Sequence, residues 1–203
     1  MSLEQAFRAK QAPEEGMQVV DSSGRCRAFF SANKTGKGLQ AFTTDYEIMR
    51  GDLVRLIHDA NKDRVKYIFS NSVKDIETGY DLVQVRFADG KTDQYDLLVG
   101  TDGQGSRTRR MMLGSKTNDG FYPLNGDFVG YFTSPRPIKR GGEYIATKYI
   151  APGRRGNMTR RHRPDTIQVH LSCTADSKQL NWARQGDILE EKAAITEIFQ
   201  GAG

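Results

Sequence analysis

Between Asp102 and Arg110 nine consecutive residues hold a carboxylate, two glycines, two hydroxyls and three arginines, in the order Asp-Gly-Gln-Gly-Ser-Arg-Thr-Arg-Arg. Small residues let backbone N–H groups approach a ligand closely. Ser106 is a favourable N-cap for a helix carrying Arg107, Arg109 and Arg110. A helix N-terminus so placed presents unpaired donors and a positive dipole end, which suit a phosphate or another anion. The alternative is a strand-to-helix connection that holds no ligand. It is not a dinucleotide fingerprint, because Thr108 stands where Gly103-x-Gly105 would need its third glycine.

Arg50 is a second chemical feature. A guanidinium just ahead of a helix is a planar, permanently charged donor for phosphate or ring oxygens, or else a solvated side chain. The pairs Arg154-Arg155 and Arg160-Arg161 suit an anionic nicotinamide cofactor, although arginines at strand ends on a wet surface explain them more simply. Tyr144 and Tyr149 suit either a ring-shaped substrate or core packing. No residue stands out as a catalytic acid, base or nucleophile. Cys26 and Cys173 are far apart without a CxxC, and His58, His162 and His170 are dispersed, so neither a disulfide framework nor a metal centre is expected.

The elements that must position these groups follow from periodicity. Residues 1 to 16 read as a polar helix entering a loop, and the apolar runs either side of Ser22-Ser23-Gly24 as a hairpin. Leu53, Leu56, Ile57 and Ala60 line one face of a helix over 52–60, with Asp52 near its N-terminus. Strands follow: 65–70, 72–78 and 82–87, where Val83, Val85 and Phe87 alternate with polar residues. Asp89-Gly90 reads as a type I′ hairpin turn, and Leu97-Leu98-Val99 as a strand covered on both faces. Beyond Leu113 four short strand patterns, around 127–134, 143–151, 156–162 and 166–173, indicate an antiparallel sheet. A last helix carries Ile188, Leu189, Ile195, Ile198 and Phe199 as its apolar stripe and ends at Gly201. The fold class is therefore mixed, α/β with α+β character.

Composition sets the broad class. The chain has 203 residues, 37% hydrophobic and 27% charged, as a globular protein does. No apolar run approaches the roughly 20 residues that span a bilayer, and the N-terminus has no apolar core of a signal peptide, so a cytoplasmic protein with free thiols is expected. The charge is uneven. Residues 136–163 hold nine Lys/Arg and one acid, or +8 against +5 for the whole chain, which leaves −3 elsewhere. A local basic patch permits nucleic-acid binding as an alternative, but no RRM, KH or zinc pattern accompanies it.

Two segments resemble the FAD-dependent class A monooxygenases, the para-hydroxybenzoate-hydroxylase-like family. The run "DLLVGTDGQGSRTR" matches that family's second fingerprint at Asp102, Gly103, Ser106 and Arg109, and "YEIMRGDLVRLI" matches its Glu-Ile-x-Arg-x-x-Leu segment at Glu47, Ile48, Arg50 and Leu53. The resemblance extends from about Phe42 to the C-terminus. It implies that Arg50, Asp102 and Gly103 contact FAD, that Arg109 braces the turn, and that NADPH or NADH is the reductant. It further implies a small organic substrate, possibly an aromatic one, hydroxylated with O2. By this reading residues 1–113 form a partial FAD-binding domain, 114–183 an antiparallel substrate-domain sheet and 184–203 a C-terminal helix.

The resemblance is incomplete. The family's strand–GxGxxG–helix is absent from these 203 residues: Gly36-Lys37-Gly38 continues into Leu39, Gln40 and Ala41, and no apolar strand precedes it. The later Gly-Asp segment is absent too, since Gly186-Asp187 opens a helix and no Ala-Ala-His follows. The expectation is a central fragment of a flavoprotein that binds FAD weakly or not at all by itself. The alternative is a non-catalytic remnant, or a protein that binds a ligand or partner.

Overall fold

The Ser2 hydroxyl accepts from the Gln5 amide and the Gln5 side chain accepts from the Ser2 amide, a reciprocal cap that opens α1 (Leu3–Arg8). The computed structural model describes residues 2–35, 37–39, 41–44, 46–114, 126–140, 142–175, 180 and 187–202. Gly36 and Gly186 of the sequence reading lie outside the described residues. Two compact units are present: Met1–Asn61 together with Leu124–Gly203, and Lys62–Pro123.

In the first unit β1 (Gly16–Val20) and β2 (Cys26–Ser31) form the expected hairpin. Its turn is organised by Asp21, which accepts from the Ser23 amide and hydroxyl and from the Arg25 amide, with Gly24 at φ +76°. These bonds, led by that from the Ser23 hydroxyl, draw the Asp21 carboxyl down to about 2. α2 (Arg50–Asn61) follows. Leu53 and Leu56 of its apolar face are half-buried, whereas Ile57 and Ala60 are exposed.

β6 (Asp127–Pro135), β7 (Ile145–Ala151), β8 (Arg155–Arg160) and β9 (Thr166–Thr174) occupy the four predicted strand positions after residue 113. The sheet they build is not purely antiparallel. It has six strands in the order β2-β1-β7-β8-β9-β6, and β1 pairs in parallel with β7, from Gly16↔Ile145 to Val20↔Tyr149. A parallel partner needs a long crossover, here more than 120 residues, and no local pattern reports such a pairing.

α4 (Ile188–Phe199) is capped by Asp187, whose carboxylate accepts from the amides of Leu189 and Glu190. It lies on one sheet face, where Ala194 packs with Cys173 and Leu180 beside Phe128, Ile195, Ile198 and Phe199. Burial pushes the Cys173 thiol up from its ordinary pKa. Gly130 lets the helix approach there: a Cβ at that position would lie 2.9 Å from Ile195 Cδ1 and the isoleucine tip would have to shift. Ile188 and Leu189, expected in the apolar stripe, are exposed, because the packed face covers only the later turns. Gly201 takes φ +68° just past the helix, as its cap role requires.

The second unit is a three-stranded antiparallel sheet, β3 (Val73–Thr78), β4 (Val83–Phe87) and β5 (Thr92–Tyr95), with Val85 buried at its centre. The β4–β5 turn differs from the type I′ expectation. Phe87 and Lys91 pair across a three-residue loop in which Gly90 alone has positive φ, +87°. α3 (Arg107–Leu113) packs on β3, and its Arg107 guanidinium donates to the Val73 carbonyl at 3.3 Å. Two predicted strands are not strands. Residues 65–70 and 97–99 have no ladder partner among the described residues, and Phe69, Leu97 and Val99 stand in solvent.

Candidate functional site

The Asp102 turn has a different construction from a bare phosphate cradle. One Asp102 oxygen accepts from the Ser106 hydroxyl at 2.6 Å; the other accepts from the amides of Arg107 at 2.7 Å and Thr108 at 3.0 Å and from the Thr108 hydroxyl at 3.2 Å. Ser106 caps α3 by accepting from the Arg109 amide at 2.9 Å. The first-turn amides expected to meet an anion therefore already meet an internal carboxylate. These bonds, first that from Ser106 and then that from the Thr108 amide, hold the Asp102 carboxyl far below the usual carboxylate range.

The turn apex remains open. Gly103 has φ +74° and empty space on its side-chain side, and the N–H groups of Gly103, Gln104 and Gly105 donate to nothing among the described residues. The Arg109 guanidinium donates to the Gln104 carbonyl at 2.8 Å, so it braces the turn. Gly100, which periodicity does not single out, is fixed by contact: a Cβ there would lie 2.9 Å from Thr108 Cβ and Cγ2.

Arg50 belongs to the other compact unit, at the first turn of α2. It lines a cavity of about 620 Å3 together with Glu14, Glu47, Tyr131, Phe132, Arg160 and His170, among others. The Arg50 side chain makes no hydrogen bond or ion pair among the described residues.

The glutamates around it are committed elsewhere. Arg160 Nε donates to one oxygen of Glu14 at 2.8 Å and Arg160 Nη2 to the other at 3.0 Å, and Arg160 also ion-pairs with Glu47. Glu14 is 4% exposed and accepts in addition from the Thr43 hydroxyl at 3.0 Å. Contrary to the expectation of a strand-end arginine on a wet surface, Arg160 sits inside this cluster. Its neighbour Arg161 donates to the carbonyls of Arg136, Arg163, Pro164 and Thr166, and Arg155 donates to those of Ile198 and Gln200 at the end of α4. Three of the four paired arginines therefore tie backbone or buried carboxylates together.

Aromatic side chains also line this cavity. Tyr144 and Tyr149 are half-buried and do not line the cavity, whereas Tyr131 and Phe132 of β6 do. Tyr131 pairs in register with His170 of β9, and their rings meet edge-on at 4.7 Å. Burial first, then Arg160 and Lys148, lower the His170 pKa, against the opposite influence of Glu14. His162, eight residues earlier, lines the same cavity, with Nε2 3.8 Å from Asp52. Only the β6/β9 register brings Tyr131 to His170, which local spacing does not reveal.

No protein-family model matches the chain. It is 45% identical over 204 residues to the FAD-dependent monooxygenase asL4 of Sarocladium schorii, an alignment covering 100% of this chain and 47% of that protein. It is 36% identical over 208 residues to the flavin-dependent monooxygenase eupH of a Phoma species, covering 99% and 47%. The chain thus spans about half the length of the curated relatives it matches. Among solved structures it resembles tetracycline destructase Tet(51), with TM-score 0.68 and 22% identity over 99% of this chain and 48% of that one. It also resembles Klebsiella pneumoniae HpxO complexed with FAD and uric acid, with TM-score 0.59 and 20% identity over 93% and 50%. At these identities the solved structures show a shared fold.

Proposed function

This chain belongs to the FAD-dependent, class A-like flavoprotein monooxygenases, and we propose that it supplies part of the FAD site and the substrate-facing wall of such an enzyme. A bound flavin brings the redox chemistry, with NADPH or NADH as reductant and O2 as co-substrate, and the protein positions and shields the reacting groups. The substrate is a small organic molecule, an aromatic one being the natural fit to a wall carrying Tyr131 and Phe132. A cytoplasmic setting is part of this proposal. No helix among the described residues is long and apolar enough to cross a membrane.

The residues present fit the cofactor. A cavity of about 620 Å3 is within the range that holds ring-sized ligands. In the first unit Arg50 offers an uncommitted planar cation to a phosphate or flavin oxygen; in the second unit, taken by itself, the amides from Gly103 to Gly105 are open neutral donors. Asp102 acts by shaping its turn. In functional terms residues 1–113 serve the FAD-binding part, 114–183 the substrate sheet and 184–203 the helix behind it; β1 and β2 serve both, since they extend that sheet.

The observation that carries this reading is the free Arg50 guanidinium on an aromatic-walled cavity, in a chain homologous to flavin monooxygenases along its whole length. FAD fluorescence and visible spectra recorded during titration test it. Lacking a GxGxxG, the 203-residue chain should bind weakly, with Kd above about 10 μM, and Arg50→Ala should remove the saturable signal. A saturable titration that Arg50→Ala leaves unchanged contradicts the reading.

A further inference from the structure

We infer that Arg160 is a positioning residue which keeps Arg50 available for an anionic ligand by holding the buried Glu14 and the half-buried Glu47 of the same cavity. The purpose assigned to Arg50 rests on the cofactor reading above; the ion-pair competition does not.

Two carboxylates, Glu14 and Glu47, share the cavity with Arg50. A carboxylate removed from water must find a cation or strong donors, or it is costly to keep ionised. Glu14 is 4% exposed and the Glu47 side chain 20%, so both are under this demand. Arg50 is an obvious partner, close in sequence to Glu47 and on the same cavity wall, yet it pairs with neither. Arg160 explains why. Its guanidinium fork is bidentate on Glu14 and also reaches Glu47, which one ammonium could not do with the same geometry.

The cluster also fixes where Arg50 stands. Glu47 is tied through its carbonyl to the Ala12 amide at 2.8 Å and through its carboxylate to the Thr44 amide at 3.3 Å. Ile48 bridges Gln11. Met49 accepts a contact from the Gln168 amide at 3.4 Å. The three residues before Arg50 are thereby anchored to the N-terminal loop and to β9, and Arg160 on β8 joins Glu47 to Glu14. The start of α2 is held from several sides while its first side chain is left unengaged.

The test is arginine-selective modification of the full chain with phenylglyoxal, followed by peptide mass spectrometry, without flavin. In the wild type Arg50 should react at a rate near that of exposed Arg154, and Arg160 much more slowly. In Arg160→Gln the released glutamates should capture Arg50 and slow its modification about three- to fivefold. Adding Glu14→Gln and Glu47→Gln to that variant should restore the wild-type rate. Arg160→Lys, which keeps the charge but not the fork, should slow Arg50 to a smaller degree. General loosening of the fold moves the rate in the opposite direction, so a merely structural role is distinguishable. An Arg50 that is as protected as Arg160 in the wild type, or that reacts equally fast or faster in Arg160→Gln and Arg160→Lys, overturns the inference. Since no flavin is present, failure here leaves the cofactor reading standing, and a failed FAD titration leaves this result interpretable.

Discussion

At the Asp102 turn a carboxylate accepts from two backbone amides and two hydroxyls of its own loop, whereas at the start of α2 the Arg50 guanidinium engages nothing among the described residues. Both places carry residues of the same family motifs. In the first the charged side chain is spent on shape, and what stays open is neutral backbone at Gly103 to Gly105. In the second the shape is made by other charged residues, Arg160 with Glu14 and Glu47, and the motif side chain stays open. A charged residue in a binding motif can thus be scaffold or contact, and its hydrogen bonds decide which.

The largest effect should come from breaking the scaffold of the second region. Arg160→Leu leaves two poorly solvated carboxylates without their cation, and a loss of about 3 kcal/mol is expected in urea unfolding. A loss near that of a surface ion pair, below about 1 kcal/mol, would reduce the cluster to an incidental contact.

The scaffold of the first region can be probed with two glycines that differ in what constrains them. Gly100→Ala forces a Cβ to within 2.9 Å of Thr108 and should cost about 1–3 kcal/mol through overpacking. Gly103→Ala meets empty space but retains φ +74°, so only the left-handed backbone penalty of roughly 1 kcal/mol applies. Equal losses at both sites would show that the Gly100–Thr108 approach is unimportant.

The first region was legible as a strand-turn-helix because Ser106 caps α3 at the expected residue and Gly103 takes the left-handed conformation. Its use of Asp102 was not legible, since a motif gives residue types and not their bonds. The strands beyond residue 113 could be read from alternation and turn chemistry. The parallel β1–β7 pairing could not, because it joins residues far apart in the chain. Arg160 was misread for the same reason: its partners, Glu14 and Glu47, lie 146 and 113 positions earlier, and burial of a Glu in an "APEEG" loop leaves no local trace. Leu97 to Val99 form an apolar run that pairs with no strand among the described residues and leaves Leu97 and Val99 exposed, as expected of it once the family's strand–GxGxxG–helix unit is missing.

Smaller, pH-dependent effects separate the regions further. The folded-state pKa of Asp102 lies below its unfolded value, so its contribution is present above pH ~4 and is lost as pH falls. The protection factors of the Arg107 and Thr108 amides, exchange rates relative to the unstructured chain at the same pH, should fall in acid, and Asp102→Ala should lower them at neutral pH as well. The His170 pKa is also lowered, but for a base this means that the unfolded chain binds more protons. Stability should therefore fall as pH drops below ~6.5, and His170→Gln should flatten that slope in a denaturation series. An unchanged slope would mean that the imidazole does not feel the burial and the cations around it.

The contrast between the two regions is tested most directly by a 1H–15N NMR titration of the chain with FAD, observing backbone amides and arginine Nε–H groups together. Shifts are predicted at Arg50 Nε–H and at the amides of Gly103, Gln104 and Gly105, while the amides of Arg107 and Thr108, already bonded to Asp102, stay nearly still. Movement of Arg107 and Thr108 with Arg50 unmoved would contradict it, for the Asp102 turn would then be the open site and Arg50 the bystander.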